Sequence, residues 1–249
     1  MTKIVINKMK AEFENRQVYV DVFNIENCPA HDISYSQYDA LGIAYPVHSF
    51  NAPEIVVQFV CRLPRVDRMK TFIISTAGGV SSLNNASSEL LIKILAKKGY
   101  AVFYNRQFVM PSNFIIKDNA VIVKEKITRA INDVPKTVSD IINCVPCNMT
   151  IKMPAKVIAF FGRAEWIGVK CARFFYADAA KCNLCGICVN KCPNHNINMI
   201  ENHIVFKRKR GLCMRCLYIC PKRAIKTRRL FRFIGFDSWY EDDGLSIDE

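Results

Sequence analysis

Cysteines in two similar stretches are the residues of this chain with the clearest chemistry. Residues 182–193 read CNLCGICVNKCP, and residues 210–221 read RGLCMRCLYICP. With an offset of 28 positions, three cysteines and the following proline of the first stretch match those of the second, whereas Cys182 matches Arg210. The chain therefore contains an internal repeat in which an arginine stands in place of one thiol.

This spacing predicts two iron-sulfur sites that exchange one ligand. Three thiolates spaced C-x2-C-x2-C surround one cubic cluster, and the fourth cysteine, which precedes a proline, ligates the other cluster. The first site then uses Cys182, Cys185, Cys188 and Cys220. The second site uses Cys192, Cys213 and Cys216. Structural zinc and disulfides are alternatives, but this motif is much more specific than a lone C-x2-C pair.

The second site lacks a fourth thiolate, because Arg210 cannot replace it. A guanidinium group stays protonated and offers only hydrogen-bond donors. We therefore expect one complete 4Fe-4S cluster. We expect the second site to hold a 3Fe-4S cluster or a 4Fe-4S cluster with a non-cysteine ligand, or to be empty. Cys171 and the pair Cys144 and Cys147 are remote candidates for the missing ligand, and their simpler interpretation is as ordinary cysteines.

The charge of the chain is concentrated near its end. The net charge is +13, and residues 207–232 carry eleven lysines and arginines with no acidic residue among them. The last thirteen residues are negatively charged, because they carry six acidic side chains and no lysine or arginine. A solvated face is the simplest interpretation of the basic block. The more specific interpretation is a docking surface for an acidic redox partner. A nucleic-acid surface is less favoured.

Sequence features also bear on location. The sequence has no run of the roughly 18 to 20 apolar residues that a membrane helix needs. The first fifteen residues are charged throughout and do not resemble a secretion signal. Seven of the twelve cysteines have cluster spacing, which fits a reducing compartment. We expect a cytoplasmic protein with no membrane partner.

Hydrophobic periodicity predicts alternating strands and helices over the first two thirds of the chain. The predicted strands are 17–23, 39–45, 70–75 and 101–109. The predicted helices are 3–13, 55–60, 89–98, 120–142 and 155–176, and Gly99 stands in the usual helix-stop position. This alternation favours an α/β fold with a parallel sheet covered on both faces.

The motifs resemble two protein families joined in one chain. Residues 179–228 resemble a two-cluster bacterial ferredoxin with a small α+β fold. Residues 1–150 resemble a flavodoxin in the segments DALGIAYPVHSFNAP, KTFIISTAGG and MPSNF. This order is similar to that of the flavodoxin/ferredoxin fusion proteins of anaerobic bacteria. From the pattern of apolar residues and charges we expect a linker helix over 151–178 and an acidic tail over 229–249.

The flavodoxin resemblance implies a flavin site that lacks one part. In that family, the segments matching 45–50 and 76–79 embrace the ring of FMN. The implied contacts are Tyr45, Pro46, Val47, His48, Ser49, Phe50, Thr76, Ala77, Gly78 and Gly79. The family's first strand and phosphate-binding loop have no counterpart here, and that strand is central in the doubly wound sheet order 2-1-3-4-5. We therefore expect weak FMN binding or none.

These features favour an electron-transfer protein that carries single electrons through ferredoxin-type clusters. No residue set suggests acid-base or nucleophilic catalysis. The rival hypothesis is a regulatory protein in which the clusters sense redox state and the basic block binds nucleic acid.

Overall fold

The computed structural model describes residues 1–79, 81–112, 118–171, 175–207 and 213–227. The chain divides into two compact units, and each is treated by itself below. The first unit comprises Met1–Pro111 and Val121–Arg163. The second comprises Ser112–Ala120 and Ala164–Glu249. Among the described residues, no helix is both long and apolar enough to cross a membrane.

A three-stranded parallel sheet forms the centre of the first unit. Its strands are β1 (Ala40–Pro46), β2 (Met69–Ala77) and β3 (Tyr100–Val109), paired in that order. The register places Tyr45, Ser75 and Gln107 in one row across the sheet. Parallel strands are joined by helical crossovers, which cover both faces of the sheet. The α/β architecture and the parallel sheet are therefore confirmed.

Helices cover the two faces of this sheet. They are α1 (Thr2–Asn15), α2 (Glu54–Arg62), α4 (Glu89–Lys97) and α5 (Ala120–Ile142). The chain also contains a short helix α3 (Ser81–Asn84) and helix α6 (Met153–Cys171), whose residues from Ala164 onwards are assigned to the second unit. On one face, α2 and α4 pack their buried Val60 and Leu95 against Ile73. On the other, α1 and α5 pack Met9 and Val134 against Ile74. Successive residues of β2 point to opposite faces, so its core residues serve two separate cores.

Gly99 ends α4, as its position in the sequence predicted. Its φ is +91°, and a Cβ atom here would lie 1.7 Å from the carbonyl oxygen of Val66. Only glycine combines this left-handed backbone with so close an approach. The turn returns the chain directly into β3.

Two predicted elements differ from the structure. Residues 17–23 form no strand, and Tyr19 is 79% exposed. A strand exists only when a neighbouring strand supplies backbone hydrogen bonds, and residues 17–23 pair with none in the described part of the chain. The predicted helix 155–176 ends too late, because α6 ends at Cys171 and a strand covers Phe175–Ala177.

The second unit is built from short elements. They are β4 (Phe175–Ala177), α7 (Ile187–Asn190), β5 (Ile197–Ile200), β6 (His203–Phe206), α8 (Arg215–Tyr218) and β7 (Ile225–Thr227). β4 pairs with β7, and β5 pairs with β6, both antiparallel. Phe175, Ile197, Leu217 and Ile225 form a small core that also contains cysteines of both motifs.

Candidate metal centre

The two cysteine motifs fold as two copies of one loop followed by a short helix. Gly186 precedes α7 with φ of +74°, and Met214, 28 positions later, precedes α8 with φ of +57°. Leu184 is also left-handed, with φ of +58°. These residues turn the backbone tightly enough for neighbouring cysteines to face a common point. Methionine tolerates this backbone less well than glycine, so the backbone at Met214 is more strained than at the matching Gly186.

The structure brings together the four cysteines predicted for the first cluster. Cys220, from the second motif, lines the same pocket as the three cysteines of the first motif, Cys182, Cys185 and Cys188. Burial raises the pKa of the Cys188 thiol, and the nearby thiols of the other three raise it further. Four thiols from distant parts of the chain thus surround one small space.

The second set of cysteines also converges. Burial raises the pKa of the Cys216 thiol to about 12, and the nearby thiols of Cys213 and Cys192 contribute to that rise. Cys192 belongs to the first motif, so the sets exchange one member in each direction. The residue predicted to leave this set incomplete, Arg210, lies outside the described residues.

Backbone amides next to the exchanged cysteines are a feature that the sequence analysis missed. The amide of Ala224 donates to Sγ of Cys220 at 3.3 Å, and the amide of Asn196 donates to Sγ of Cys192 at 3.3 Å. Each donor lies four residues after its cysteine, and the two donors are again 28 positions apart. The sequence offset could have located them. Such hydrogen bonds stabilise negative charge on sulfur and tune the reduction potential of an iron-sulfur cluster.

The first set of cysteines fits a 4Fe-4S cluster. Its four thiols match the donor set of that cluster, and Leu184, Ile187, Ile204, Pro221 and Ile225 make the remaining walls largely apolar. In the described part of the chain, no three His, Cys, Asp or Glu side chains lie close enough together to hold a single metal ion. A cubane requires a wider arrangement, because each of its four thiolates binds a different iron.

Cys144 and Cys147 belong to the first unit. Lys70 donates from Nζ to Sγ of Cys144 at 3.3 Å. The Cys147 carbonyl accepts a 2.6 Å hydrogen bond from the amide of Asn105 on β3. These contacts explain both residues as part of the loop that follows α5.

The two loops predicted to hold a flavin ring lie side by side. The amide of Val47 donates to the Thr76 carbonyl at 2.8 Å. His48 and Asn51 exchange two backbone hydrogen bonds across a two-residue turn. The turn residues Ser49 and Phe50 have φ values of +46° and +61°. A tight turn with two left-handed non-glycine residues is costly and must be held by its surroundings.

Helix α6 holds that turn. The buried Asn51 side chain donates to the carbonyl oxygens of Ala159 at 2.8 Å and Ser49 at 2.9 Å. Ala159 and Ala155 of α6 are buried and form a small cluster with Ala86, against which Phe50 packs. The turn and the helix therefore form one packed structure.

The polar groups of the predicted flavin contacts are also occupied. The Thr76 hydroxyl lies 2.7 Å from the Thr2 hydroxyl, and Tyr45, 1% exposed, directs its hydroxyl towards Ser87 at 3.5 Å. Phe50 packs against the α6 cluster, and Gly78 and Gly79 lie at the surface end of β2. The turn of the first predicted flavin loop is therefore packed against α6 rather than presented as a free loop.

Comparison with known proteins identifies the part of the chain that contains the first cysteine motif. The family model described as "4Fe-4S binding domain" matches residues 175–198. The search of curated proteins gives no match. Among solved structures, an oxidoreductase from Corynebacterium diphtheriae is 14% identical, with 55% of this chain and 86% of that chain covered and a TM-score of 0.30. Similarity at that level establishes neither fold nor function. The chain therefore contains a ferredoxin-type 4Fe-4S binding domain.

Proposed function

We propose that this protein carries single electrons through a ferredoxin-type cluster held by Cys182, Cys185, Cys188 and Cys220. The observation that carries the proposal is the position of Cys220, which lines one pocket with three cysteines more than thirty positions earlier in the chain. A bound 4Fe-4S cluster supplies one-electron chemistry. The family match over residues 175–198 supports the same function.

The chain's own residues would set how readily that site is reduced. The apolar walls formed by Leu184, Ile204 and Ile225 restrict water. The Ala224 amide aims a dipole at Sγ of Cys220. Burial disfavours added negative charge, whereas the amide favours it, so the two effects oppose one another. The exchanged ligands also tie the two motifs to each other, which lets the cluster complete the small core of this unit.

For the second set of thiols, we propose a 3Fe-4S cluster or a 4Fe-4S cluster with a non-cysteine ligand. Cys192, Cys213 and Cys216 supply three sulfurs, and the repeat places Arg210 at the fourth position. FMN has no part in the proposed function, because the loops predicted to contact it are engaged with α6.

We also propose an acidic redox protein as the partner. The segment 207–232 carries eleven positive charges, and complementary charge accelerates the encounter of redox proteins. Among its described members, Lys226 is paired with Asp178 at 2.7 Å, and Arg215 donates to the Lys191 carbonyl at 3.2 Å. Their roles are therefore partly internal, and the exposed Lys222 is better placed for docking.

Anaerobic reconstitution of the full chain tests the proposed function. Iron and sulfide are added to the reduced protein, and bound iron is counted after gel filtration. The visible absorption of the cluster should bleach on addition of dithionite and return when an electron acceptor is added. A reconstituted protein whose absorption does not respond to the reductant would rule out a carrier. Binding of nucleic acid by such a redox-silent protein would favour the regulatory hypothesis instead.

A further inference from the structure

Helix α6 has an exposed apolar face. Met153, Val157, Phe160 and Phe161 are between 47% and 68% exposed. They stand at positions i, i+4, i+7 and i+8, which share one face of an α-helix. The rings of Phe160 and Phe161 meet edge to face, with their centroids 5.7 Å apart. A contiguous group of large exposed apolar side chains marks an interaction surface, whereas single ones are common on any protein.

The opposite side of the same helix is already packed. Ala155 and Ala159 are buried in a cluster with Ala86, and the Ala159 carbonyl accepts a 2.8 Å hydrogen bond from the Asn51 side chain. These contacts fix the rotation of α6 about its axis. The exposed apolar side chains therefore cannot turn inwards without breaking the packing of the small residues on the other side.

Positive charge lies along one edge of the apolar face. Lys152, Lys156 and Arg163 stand at positions i, i+4 and i+11, which follow one line along the helix. The Glu89 carboxylate is 2.8 Å from Nζ of Lys93 and 3.7 Å from Nζ of Lys156. The hydrogen bond from Lys93 and the charges of Lys156 and Arg163 lower the pKa of Glu89. Among these described residues, four cations surround one carboxylate, so the edge keeps a net positive charge.

We infer that this face of α6 binds the surface of a membrane that contains anionic lipids. Aromatic and aliphatic side chains beside a row of cations are the composition of helices that lie in the membrane interface. The apolar side chains enter the boundary between headgroups and acyl chains, and the cations meet the negative charge of the headgroups. A second copy of the chain fits less well, because Glu89, the acidic residue at this edge, is already held by cations of its own chain.

The inferred contact is independent of the proposed electron-transfer function. It differs from the expectation of no membrane partner, which came from the lack of a long apolar run in the sequence. A helix that lies on the membrane needs only one apolar face. The contact therefore agrees with the finding that no described helix is long and apolar enough to cross a membrane.

Flotation of the reconstituted full chain with lipid vesicles tests the inference. The bound fraction is measured over a range of lipid concentrations, with vesicles of phosphatidylcholine alone and vesicles that also contain phosphatidylserine. The wild type should bind the mixed vesicles at least about tenfold more tightly, because several cations near an anionic surface act together. Added salt should weaken this preference, because it screens the charges. Equal binding to both kinds of vesicle, or binding to neither, would overturn the inference.

Two double variants test the apolar contact. Phe160→Ser/Phe161→Ser should bind the mixed vesicles at least about tenfold more weakly than the wild type, because it removes the aromatic part of the face. Tyr19→Ser/Phe23→Ser is the matched control, since it removes two exposed aromatic side chains elsewhere in the first unit. Its binding should stay within about twofold of the wild type. Unchanged binding of the Phe160/Phe161 variant would place any membrane contact elsewhere and exclude this face.

A second pair of variants tests the basic edge. Lys152→Gln/Lys156→Gln should lose most of the preference for vesicles with phosphatidylserine, because it removes two charges beside the face. Lys124→Gln/Arg129→Gln removes the same number of charges from an exposed stretch of α5 and is the control. It should keep the preference within about twofold. An equal loss in both double variants would assign the preference to total charge and would overturn the role of this edge.

Thermal unfolding and sedimentation velocity distinguish a membrane from other occupants of the face. Phe160→Ser/Phe161→Ser should keep the Tm of the wild type, because the replaced side chains are exposed. A clear fall in Tm would show that another part of the same chain covers the face, and would overturn the inference. A wild type that forms dimers in the absence of lipid, together with a Phe160/Phe161 variant that does not, would assign the face to a second copy and would also overturn it.

Discussion

Gly162 on α6 lies against the carbonyl oxygen of Ser49, so close that a Cβ atom at position 162 would be 2.3 Å from that oxygen. The oxygen belongs to the turn whose residues are left-handed, and Asn51 bonds the same turn to the preceding helical turn of α6. A glycine is thus required where a helix meets backbone, although glycine costs a helix interior about 1 kcal/mol relative to alanine.

The first prediction follows from this contact. Gly162→Ala should destabilise the protein by about 1 to 3 kcal/mol, because the turn or the helix must shift to admit the methyl group. The loss would outweigh the gain in helix propensity. Thermal unfolding or urea unfolding of the two proteins measures it. Gly79→Ala is the control, because an added Cβ there meets only the Asn84 side chain at 4.0 Å. It should change stability by no more than about 0.5 kcal/mol.

The second prediction concerns flavin. FMN should bind the full chain weakly or not at all, because the turn between His48 and Asn51, one of the two predicted ring contacts, is packed against α6. Quenching of flavin fluorescence on titration with protein is the measurement, with an intact flavodoxin as the positive control. Binding as tight as that of the flavodoxin would show that α6 leaves the turn readily.

The sequence predicted those elements that are specified by neighbouring residues, such as a periodic helix or a glycine that ends one. The periodic residues 120–142 form α5 with the bounds Ala120–Ile142, and Gly99 ends α4 as expected. The strand predicted at 17–23 was wrong because pairing depends on a neighbour, which local alternation does not specify. The packing of Gly162 on Ser49 joins residues more than a hundred positions apart. Helical periodicity around Gly162 indicates an apolar face but not the surface that it meets.

The candidate site also combines features that the sequence predicts with features that only the structure shows. A repeat of known spacing predicted which cysteines group together, and the structure places Cys188 among Cys182, Cys185 and Cys220. The exposed edge at Ile187 and the amide of Ala224 came only from the structure, because they depend on how the loops turn. The spacing of the ligands can be recognised in the sequence, whereas the exposure of the site depends on how the chain folds.

The third prediction tests the exchange of ligands between motifs. Cys220→Ser should remove the iron of the first cluster although the whole first motif is intact, because its fourth thiolate comes from the second motif. Bound iron per chain and the visible absorption band measure the loss. Cys61→Ser, an exposed cysteine on α2, is the matched control and should retain the full iron content. A Cys220→Ser protein with an unchanged first cluster would contradict the exchanged arrangement.

The fourth prediction concerns the position that interrupts the repeat. Arg210→Cys should complete a four-thiolate second site, because the offset of 28 places residue 210 where Cys182 stands and Cys192, Cys213 and Cys216 supply the other sulfurs. If the wild type holds a 3Fe-4S cluster, its oxidised form gives a distinct electron paramagnetic resonance signal, which the variant should lose while its iron content rises. Arg208→Cys is a control two positions away, and it should leave that signal unchanged. A wild-type chain that already binds eight irons in two all-cysteine cubes would require another cysteine as ligand and would overturn this account of Arg210.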